Sequence, residues 1–360
     1  MISTPTRSIA AVPNVRGLIA LLAGSLGLAV SACDENARLP AIELSGNTMG
    51  TTYSIAIVDP GADSELHGLE SRIEARLEQL ENTASTYRNT SEISRFNRNR
   101  STDWIAVSDE FCNMVSDALS MARETGGAFD ITVGPLVDLW GFGPIDIVGV
   151  PPSDDDIDLA RKAVGFTKLH TDCNQPAMRK LLPNVQIDLS GWAKGYAVDQ
   201  LAELVNIAGH ENFLVEIGGE IKIHGHNADH RRFAVAIEKP SRHLQEKYSI
   251  IHLSNTGLAT SGDYRNFFVH EGTRYSHTID PRTGRPTRHK LSAVTVIHTS
   301  TAYADAMATA ILVLGPVEGM MLANRLGIGA YFAVSTSAGL EFRSSEAFSA
   351  ARYFSNHARM

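Results

Sequence analysis

The sequence has few of the features that mark nucleic-acid-binding proteins. Its 360 residues carry a formal net charge of −8, and its Lys and Arg residues form no basic block. Because binding to a phosphate backbone needs clustered positive charge, this composition argues against a nucleic-acid partner. The sequence also shows no internal repeat and no low-complexity segment. We therefore expect a globular protein that binds no nucleic acid.

Several catalytic motifs are missing as well. The 13 histidines do not form H-E-x-x-H, which argues against a zinc site of that kind. The motif G-x-S-x-G is absent, which weakens an interpretation as a serine hydrolase. The sequence also lacks G-x-x-x-x-G-K-[ST], so it contains no P-loop. Any catalytic site must therefore be built from a different set of residues.

Cysteine is scarce: only Cys33, Cys112 and Cys173 are present, and no C-x-x-C spacing occurs. So few cysteines exclude a disulfide-dense scaffold. Cys112 lies in an apolar helical pattern, and we expect it to be a buried free thiol. Pairing of Cys112 with Cys173 stays open, because an exported chain would permit it.

The apolar run near the N-terminus, residues 18–30, is too short to span a bilayer comfortably. It has the length of a signal-peptide core and ends in Val-Ser-Ala before Cys33, which resembles the bacterial lipobox. We predict a lipoprotein signal peptide over residues 1–32 and lipidation of Cys33. The alternative is a simple secretory signal that is cut nearby and leaves Cys33 free.

A short polar tether, residues 33–41, follows the predicted cleavage site. Asp34, directly after the cysteine, resembles the signal that keeps lipoproteins on the inner membrane. We therefore expect a lipid-anchored protein on the inner (cytoplasmic) membrane, facing the periplasm. The rest of the chain, residues 42–360, shows no convincing linker and is predicted to be one large domain.

Hydrophobic periodicity in that domain predicts an α+β fold. Leucine and isoleucine recur at helical spacing over residues 66–80, and a second helix is expected from Ser108 to Thr125, with Ser108 as N-cap. A final helix is predicted over residues 301–314, and residues 151–158 are predicted to form an exposed acidic loop. Strands are predicted at residues 53–58, 185–189, 212–217, 220–225, 232–238, 249–254 and 292–298. Helices and strands interleave without a regular β-α repeat, which favours α+β over a doubly wound sheet.

The segment of residues 125–143 combines glycines and aromatics with one early carboxylate, Asp130. Glycines permit turns with positive φ and close approach of a ligand to the backbone. A carboxylate among apolar residues needs a polar partner. This composition indicates either a ligand cradle or an ordinary buried turn, and the residues alone leave both open.

A carboxylate and a hydroxyl lie four residues apart in the last predicted helix. Asp305 and Thr309 therefore share one helix face and could give a hard cation two oxygen ligands. The alternative is that Asp305 interacts with the helix N-terminus while Thr309 is simply packed.

Two further segments could take part in chemistry. Ser190 and Lys194 stand at a predicted strand-to-helix turn that could bind an anion, or could form an ordinary capped helix with a solvated lysine. His277, before a strong turn signal, could act as a general base or have a structural role. Met49 and Tyr87 lie in polar loops, where they could contact the edge or face of a ligand.

Taken in order, these segments resemble the ApbE family of FAD:protein FMN transferases. The matching blocks are residues 46–53, 85–87, 91–97, 127–136, 188–196, 217–219, 259–264, 280–284 and 304–305, within a match over about residues 42–335. The resemblance implies a single α+β domain that transfers FMN from FAD to a Thr or Ser hydroxyl of a target protein, with Mg²⁺ bound and AMP released. Alternatives with the same motifs are a Mg²⁺-dependent FAD pyrophosphatase that yields FMN and AMP, and a non-catalytic FAD-binding lipoprotein.

The resemblance also implies roles for individual residues. It places Mg²⁺ on the backbone carbonyl of Ala193 and the side chains of Asp305 and Thr309, and it makes His277 the base for the acceptor hydroxyl. The implied FAD contacts are Met49, Tyr87, Ala128, Phe129, Asp130, Ser190 and Tyr196. The implied acceptors are membrane electron-transport subunits that carry covalent FMN, close to the lipid anchor at Cys33.

Overall fold

The computed structural model describes residues 38–61, 63–144, 149–238, 247–263, 266–351 and 353–354. The predicted signal peptide, Cys33 and most of the tether lie outside these residues. The strands are β1 Ala41–Thr48, β2 Thr51–Val58, β3 Ile105–Ala106, β4 Leu169–Asp172, β5 Ala177–Lys180, β6 Phe213–Ile217, β7 Glu220–His224, β8 Phe233–Glu238, β9 Lys247–Leu253, β10 Thr256–Gly262, β11 Phe267–His270, β12 Thr273–Ser276, β13 Ile279–Asp280, β14 Arg285–Pro286, β15 Leu291–His298, β16 Gly329–Thr336 and β17 Gly339–Ser344. The helices are α1 Asp63–Ala84, α2 Glu92–Arg98, α3 Asp109–Glu124, α4 Gly134–Leu139, α5 Asp154–Arg161, α6 Ala193–Ile207, α7 Thr301–Leu326 and α8 Glu346–Ala350.

An eight-stranded antiparallel sheet forms the centre of the fold. Its strand order is β1-β2-β6-β7-β10-β15-β16-β17. Alternation along the strands separates its two faces: Ile55 and Val215 pack toward α1 and α6, whereas Ile223 and Leu258 pack toward the β8–β9 hairpin. The α+β prediction is confirmed, with helices on one face of the sheet and the β8–β9 hairpin and α8 on the other.

Helix α7 lies in the core against β10, β15 and α6. Among the described helices it alone is long and apolar enough to cross a membrane, but 61% of its most apolar stretch is buried inside the protein. It continues to Leu326, beyond the predicted end at residue 314, with a kink at Gly315 and Pro316. Gly315 has φ 81°, where a side chain would be strained, and Pro316 lacks an N–H, so these two residues account for the kink.

A carboxylate on α6 fixes the start of α7. Asp199 accepts hydrogen bonds from the N–H groups of Thr301 at 3.0 Å and Ala302 at 3.1 Å, and from the Ser300 hydroxyl at 3.0 Å. Lys222 on β7 donates to the same carboxylate at 3.2 Å. A negative charge at a helix N-terminus is stabilising, and here it also ties α6, α7 and β7 together beside the candidate site.

Most predicted elements are confirmed, and three segments differ. The segment around Met49, which was expected to be a polar loop, belongs to the β1–β2 hairpin, with Met49 and Gly50 in its turn at φ 48° and 72°. Residues 154–158 of the expected acidic loop belong to α5 instead, because Ser153 caps the helix and three aspartates occupy its first turn. No strand forms at residues 185–189. Instead, the Asn97 side chain bonds the backbone N–H and C=O of Ile187 at 2.7 and 2.8 Å.

The expectation of a free Cys112 is wrong. Cys112 on α3 and Cys173 in the β4–β5 turn form a disulfide, with Cα atoms 5.6 Å apart. Burial of Cys112 was predicted correctly, since it is 0% exposed. Its partner is 61 residues away in sequence. The pairing depends on how α3 packs against the three-stranded β3-β5-β4 sheet, which local patterns do not specify.

Candidate active site

The glycine-rich segment follows α3 and turns the chain toward a cleft. Gly126 and Gly127 adopt φ 62° and 78°, which lets the helix end sharply. Asp130 then caps a 3₁₀ turn, since its carboxylate accepts from the Thr132 N–H at 2.8 Å and the Thr132 hydroxyl at 2.6 Å. The Phe166 N–H donates to it at 2.8 Å. The polar partners that Asp130 needs are therefore within the fold itself, although burial still raises the pKa of its carboxyl.

A cleft of about 440 Å³ brings most of the predicted site residues together. Such a volume lies in the range of small-molecule sites. The predicted residues that line it are Tyr87, Ala128, Phe129, Asp130, Ser190, His277, Asp305 and Thr309. They come from five separate stretches of the chain, so the fold confirms their proximity, while the role of each stays a prediction.

Three predicted residues lie elsewhere. Met49 occupies the hairpin turn, and its N–H donates to Glu81 at 2.9 Å. The Tyr196 hydroxyl donates to Glu110 at 3.1 Å, and burial raises the pKa of Tyr196 to about 12. Ala193 is the first residue of α6. The lining of the cleft includes none of the three, so their expected contacts with FAD or a metal remain predictions.

One face of α7 forms a wall of the cleft, with Asp305 and Thr309 followed by Leu312 and Val313 at helical spacing. Asp305 is 4% exposed and accepts from the Gly195 N–H at 3.2 Å, and burial raises the pKa of its carboxyl. The Thr309 hydroxyl lies 3.3 Å from that of Ser261 on β10. Both side chains therefore present oxygen atoms to one enclosed region.

The segment before α6 packs closely against this wall. A Cβ placed on Gly191 would lie 2.9 Å from the Thr309 hydroxyl and 3.3 Å from the Phe129 ring. A Cβ on Gly195 would lie 2.4 Å from the Thr301 carbonyl oxygen. These glycines let α6 begin directly beside Asp305 and Thr309.

An ion pair that the sequence did not reveal lies beside Asp305. Lys194 Nζ is 2.7 Å from Glu220 Oε1, and both residues line the cleft. Burial raises the pKa of Glu220, which is 2% exposed. Burial alone would lower the pKa of Lys194, but Glu220 and Asp305 attract its proton and raise that pKa. Glu220 directly follows the turn at Gly218 and Gly219, but only the sheet register shows that its side chain points inward.

His277 presents one ring nitrogen to the cleft. Its Nδ1 donates to the Asn266 carbonyl oxygen at 3.0 Å. A carbonyl oxygen can only accept, so Nδ1 carries the proton and Nε2 keeps its lone pair. Burial lowers the pKa of the ring, which favours this neutral form. His277 can therefore accept a proton from a group bound in the cleft.

The donor set suits a hard cation more than a soft one. Within the described ranges, no group of three or more His, Cys, Asp or Glu side chains is arranged to hold a metal. Asp305 and Thr309 offer a carboxylate and a hydroxyl on one face, and Glu220 Oε2 is buried without a hydrogen-bond partner there. These oxygens fit Mg²⁺, which commonly takes one or two carboxylates and fills its other positions with waters and phosphates.

The fold and the cleft define a single-domain α+β protein with a small-molecule site that holds acid, hydroxyl, ammonium and imidazole groups together. The sequence profile described as the ApbE family matches residues 49–332. The chain therefore belongs to the ApbE family, which confirms the resemblance seen in the sequence.

Relatives and solved structures agree with this assignment. A protein of Vibrio cholerae named FAD:protein FMN transferase is 40% identical over 321 residues, which cover 89% of this chain and 95% of the relative. One of Haemophilus influenzae with the same name is 37% identical and covers 93% of this chain and 96% of its own length. The structure of the flavin transferase ApbE from Vibrio cholerae superposes with a TM-score of 0.79 at 41% identity, covering 87% of this chain and 99% of that one.

Proposed function

We propose that this protein transfers FMN from FAD to a Thr or Ser hydroxyl of a target protein, with Mg²⁺ bound and AMP released. The observation that carries the proposal is the presence of Asp305, Thr309, Lys194 and His277 on the wall of one cleft. Relatives of similar length carry the name FAD:protein FMN transferase. The carboxylate, hydroxyl, ammonium and imidazole groups on this wall support a phosphoryl transfer of this kind.

The reaction exchanges one P–O bond for another. The acceptor hydroxyl oxygen bonds to the phosphorus on the FMN side of the FAD pyrophosphate, and the bond from that phosphorus to the bridging oxygen breaks. AMP leaves with the bridging oxygen, and FMN remains on the acceptor as a phosphoester. Phosphoryl transfer depends mainly on alignment and charge stabilisation, so positioned cationic groups matter more than covalent help.

Asp305 and Thr309, with the Ala193 carbonyl, would hold the cation. Bound there, Mg²⁺ would neutralise charge on the phosphate oxygens. Lys194 adds a further positive charge on the same wall. Its side chain is 32% exposed and lines the cleft.

His277 is the proposed base. A neutral Thr or Ser hydroxyl is a weak nucleophile and gains from a base that takes its proton. His277 Nε2 has the free lone pair for this step, and the Asn266 carbonyl fixes the ring orientation. Tyr87, which is 70% exposed at the cleft, and Phe129 are the aromatic rings proposed to hold the flat parts of FAD.

The proposed location is the outer face of the inner membrane, through a lipid on Cys33. The disulfide between Cys112 and Cys173 supports export, because disulfides persist in oxidising compartments such as the periplasm. An anchor there would keep the enzyme close to membrane electron-transport subunits, which are the proposed acceptors, and raise their effective concentration.

Measuring AMP with and without an acceptor protein tests the reaction type. We expect AMP release from FAD and Mg²⁺ to depend on the acceptor and to be lost in Asp305→Ala. Equal AMP release without acceptor would instead identify a FAD pyrophosphatase. Stable FAD binding with no AMP under either condition would indicate a non-catalytic flavin-binding protein.

A further inference from the structure

Glu220 has an unsatisfied oxygen on the wall of the cleft. Its Oε1 accepts from Lys194 at 2.7 Å, whereas Oε2 is buried and has no hydrogen-bond partner among the described residues. A buried carboxylate oxygen without a partner costs free energy, and such atoms are rare in native folds. Because the residue is 2% exposed and lines the cleft, a ligand bound in the cleft is placed to supply that partner.

A second buried carboxyl group, that of Asp305, lines the same cleft as Glu220 and Lys194. The Lys194 ammonium interacts electrostatically with Glu220, Asp305 and Glu216. Glu216 is already engaged, since it accepts from the Gly219 N–H at 2.6 Å. A divalent cation near Glu220 and Asp305 would pair with both carboxylates.

We propose that Glu220 supplies, through Oε2, the second carboxylate of the divalent-cation site that contains Asp305 and Thr309. This inference rests on the proposed function, because it assumes a cation at Asp305. Lys194 is the counter-charge of Glu220 in the metal-free protein. Carboxylate oxygens are preferred ligands of hard cations, and two carboxylates are within the number that Mg²⁺ normally takes.

Mn²⁺ binding to the full chain without FAD tests the role of Glu220 independently of activity. Free Mn²⁺ is counted by electron paramagnetic resonance in a titration of wild type, Glu220→Gln and Glu220→Asp. We expect both variants to bind Mn²⁺ about 10- to 100-fold more weakly, by analogy with the loss of groups that support metal ligands. Glu220→Asp keeps the charge but shortens the side chain, so it separates contact from long-range attraction. If circular dichroism shows that Glu220→Gln is unfolded, the Mn²⁺ affinity of Glu220→Asp tests the proposal instead.

Glu216→Gln is the matched control, because it removes a nearby charge that already has a backbone partner. We expect Glu216→Gln to change Mn²⁺ affinity less than about threefold, because a charge that does not contact the cation acts only at long range. Wild-type affinity in folded Glu220→Gln or in Glu220→Asp would overturn the proposal, and so would an equal loss in Glu216→Gln.

Asp305→Ala separates this inference from the proposed function. Loss of Mn²⁺ binding in Asp305→Ala with no loss in the Glu220 variants would refute only the role of Glu220. Unchanged binding in Asp305→Ala would refute the cation site of the proposed function itself.

Discussion

His277 illustrates how a single hydrogen bond determines which ring nitrogen of a histidine is free to accept a proton. The bond from Nδ1 to the Asn266 carbonyl leaves Nε2 as the only acceptor on the ring. The sequence identified His277 as a candidate but could not exclude a structural role, because nothing local shows which nitrogen is free. Which nitrogen is free depends on Asn266, which is 11 residues away across the turn between strands.

Replacing His277 with Ala should slow FMN transfer by about 10²- to 10⁴-fold, the usual contribution of a general base. FAD affinity, measured by fluorescence titration, should stay within a few-fold of wild type. His270→Ala is the control, since His270 lies on the same hairpin but does not line the cleft. Loss of FAD binding together with activity in His277→Ala would show that the ring is structural.

The pH profile provides a second readout of the same residue. Only the neutral ring can accept the acceptor proton, so the rate should rise with pH through the pKa of His277 and then level off. Burial lowers that pKa from 6.5, so the rising limb should lie below about 6.5. The limb should be absent in His277→Ala. A limb that persists in the variant would assign the titration to another group.

Gly191 should not tolerate a side chain, because its Cβ would lie 2.9 Å from the Thr309 hydroxyl. Gly191→Ala should displace Thr309 or the segment before α6, and transfer should slow by at least about tenfold, as small misplacements do. Gly68→Ala is the control: Gly68 lies in α1, and a Cβ there would meet nothing within 4 Å. Wild-type activity in a folded Gly191→Ala variant would contradict the close packing at this wall.

At the scale of elements, the α6–α7 junction determines where Asp305 sits. Asp199 holds the first turn of α7, and Asp305 is only one turn further along. The sequence predicted both helices but not their junction, because Asp199 lies about 100 residues before its partners. Local sequence patterns cannot predict contacts between residues that lie so far apart in the chain.

Asp199→Ala should destabilise the protein by about 1–2 kcal/mol, since it leaves helix N–H groups and Lys222 without their partner. Urea unfolding followed by circular dichroism measures this change. Glu203→Ala, on an exposed position of the same helix, should change the free energy of unfolding by less than about 0.5 kcal/mol. Equal stability of the two variants would show that Asp199 does not anchor α7.

Capping signals predicted helices well, whereas irregular extended segments were predicted poorly. Ser108 does cap α3, since its hydroxyl accepts from the Phe111 N–H. In contrast, residues 185–189 look like a strand by alternation, yet a side chain, Asn97, takes the place of a neighbouring strand. A helix cap can be predicted from neighbouring residues. Strand pairing cannot, because the partner strand is brought close only by folding.

At the scale of the whole molecule, the order of the motifs along the chain identified the family, which no single motif could do. Asp305 and Thr309 alone were compatible with simple capping and packing, and Asp130 proved to have its partners within the fold. The family assignment was nevertheless confirmed, because the ApbE profile matches residues 49–332. Glu220 was missed, since an acidic residue at the start of a strand has no distinctive local pattern.

The disulfide should stabilise the whole domain rather than the cleft. Replacing Cys112 and Cys173 together with Ala should lower the free energy of unfolding by about 2–4 kcal/mol. FAD affinity should be unchanged, because neither residue lines the cleft. Urea unfolding with and without reductant measures this: only wild type should respond to reductant. A wild-type protein that is insensitive to reductant would show that the bond does not form in solution.

Intact-mass measurement of an acceptor protein tests the central claim most directly. The protein is incubated with FAD, Mg²⁺ and the soluble domain of a membrane electron-transport subunit of the kind that carries covalent FMN. We predict that the acceptor gains the mass of one FMN phosphoester with wild type, and gains nothing with Asp305→Ala or when its Thr or Ser is replaced by Ala. An acceptor that stays unmodified with wild type under every divalent cation, while FAD is bound, would contradict the account.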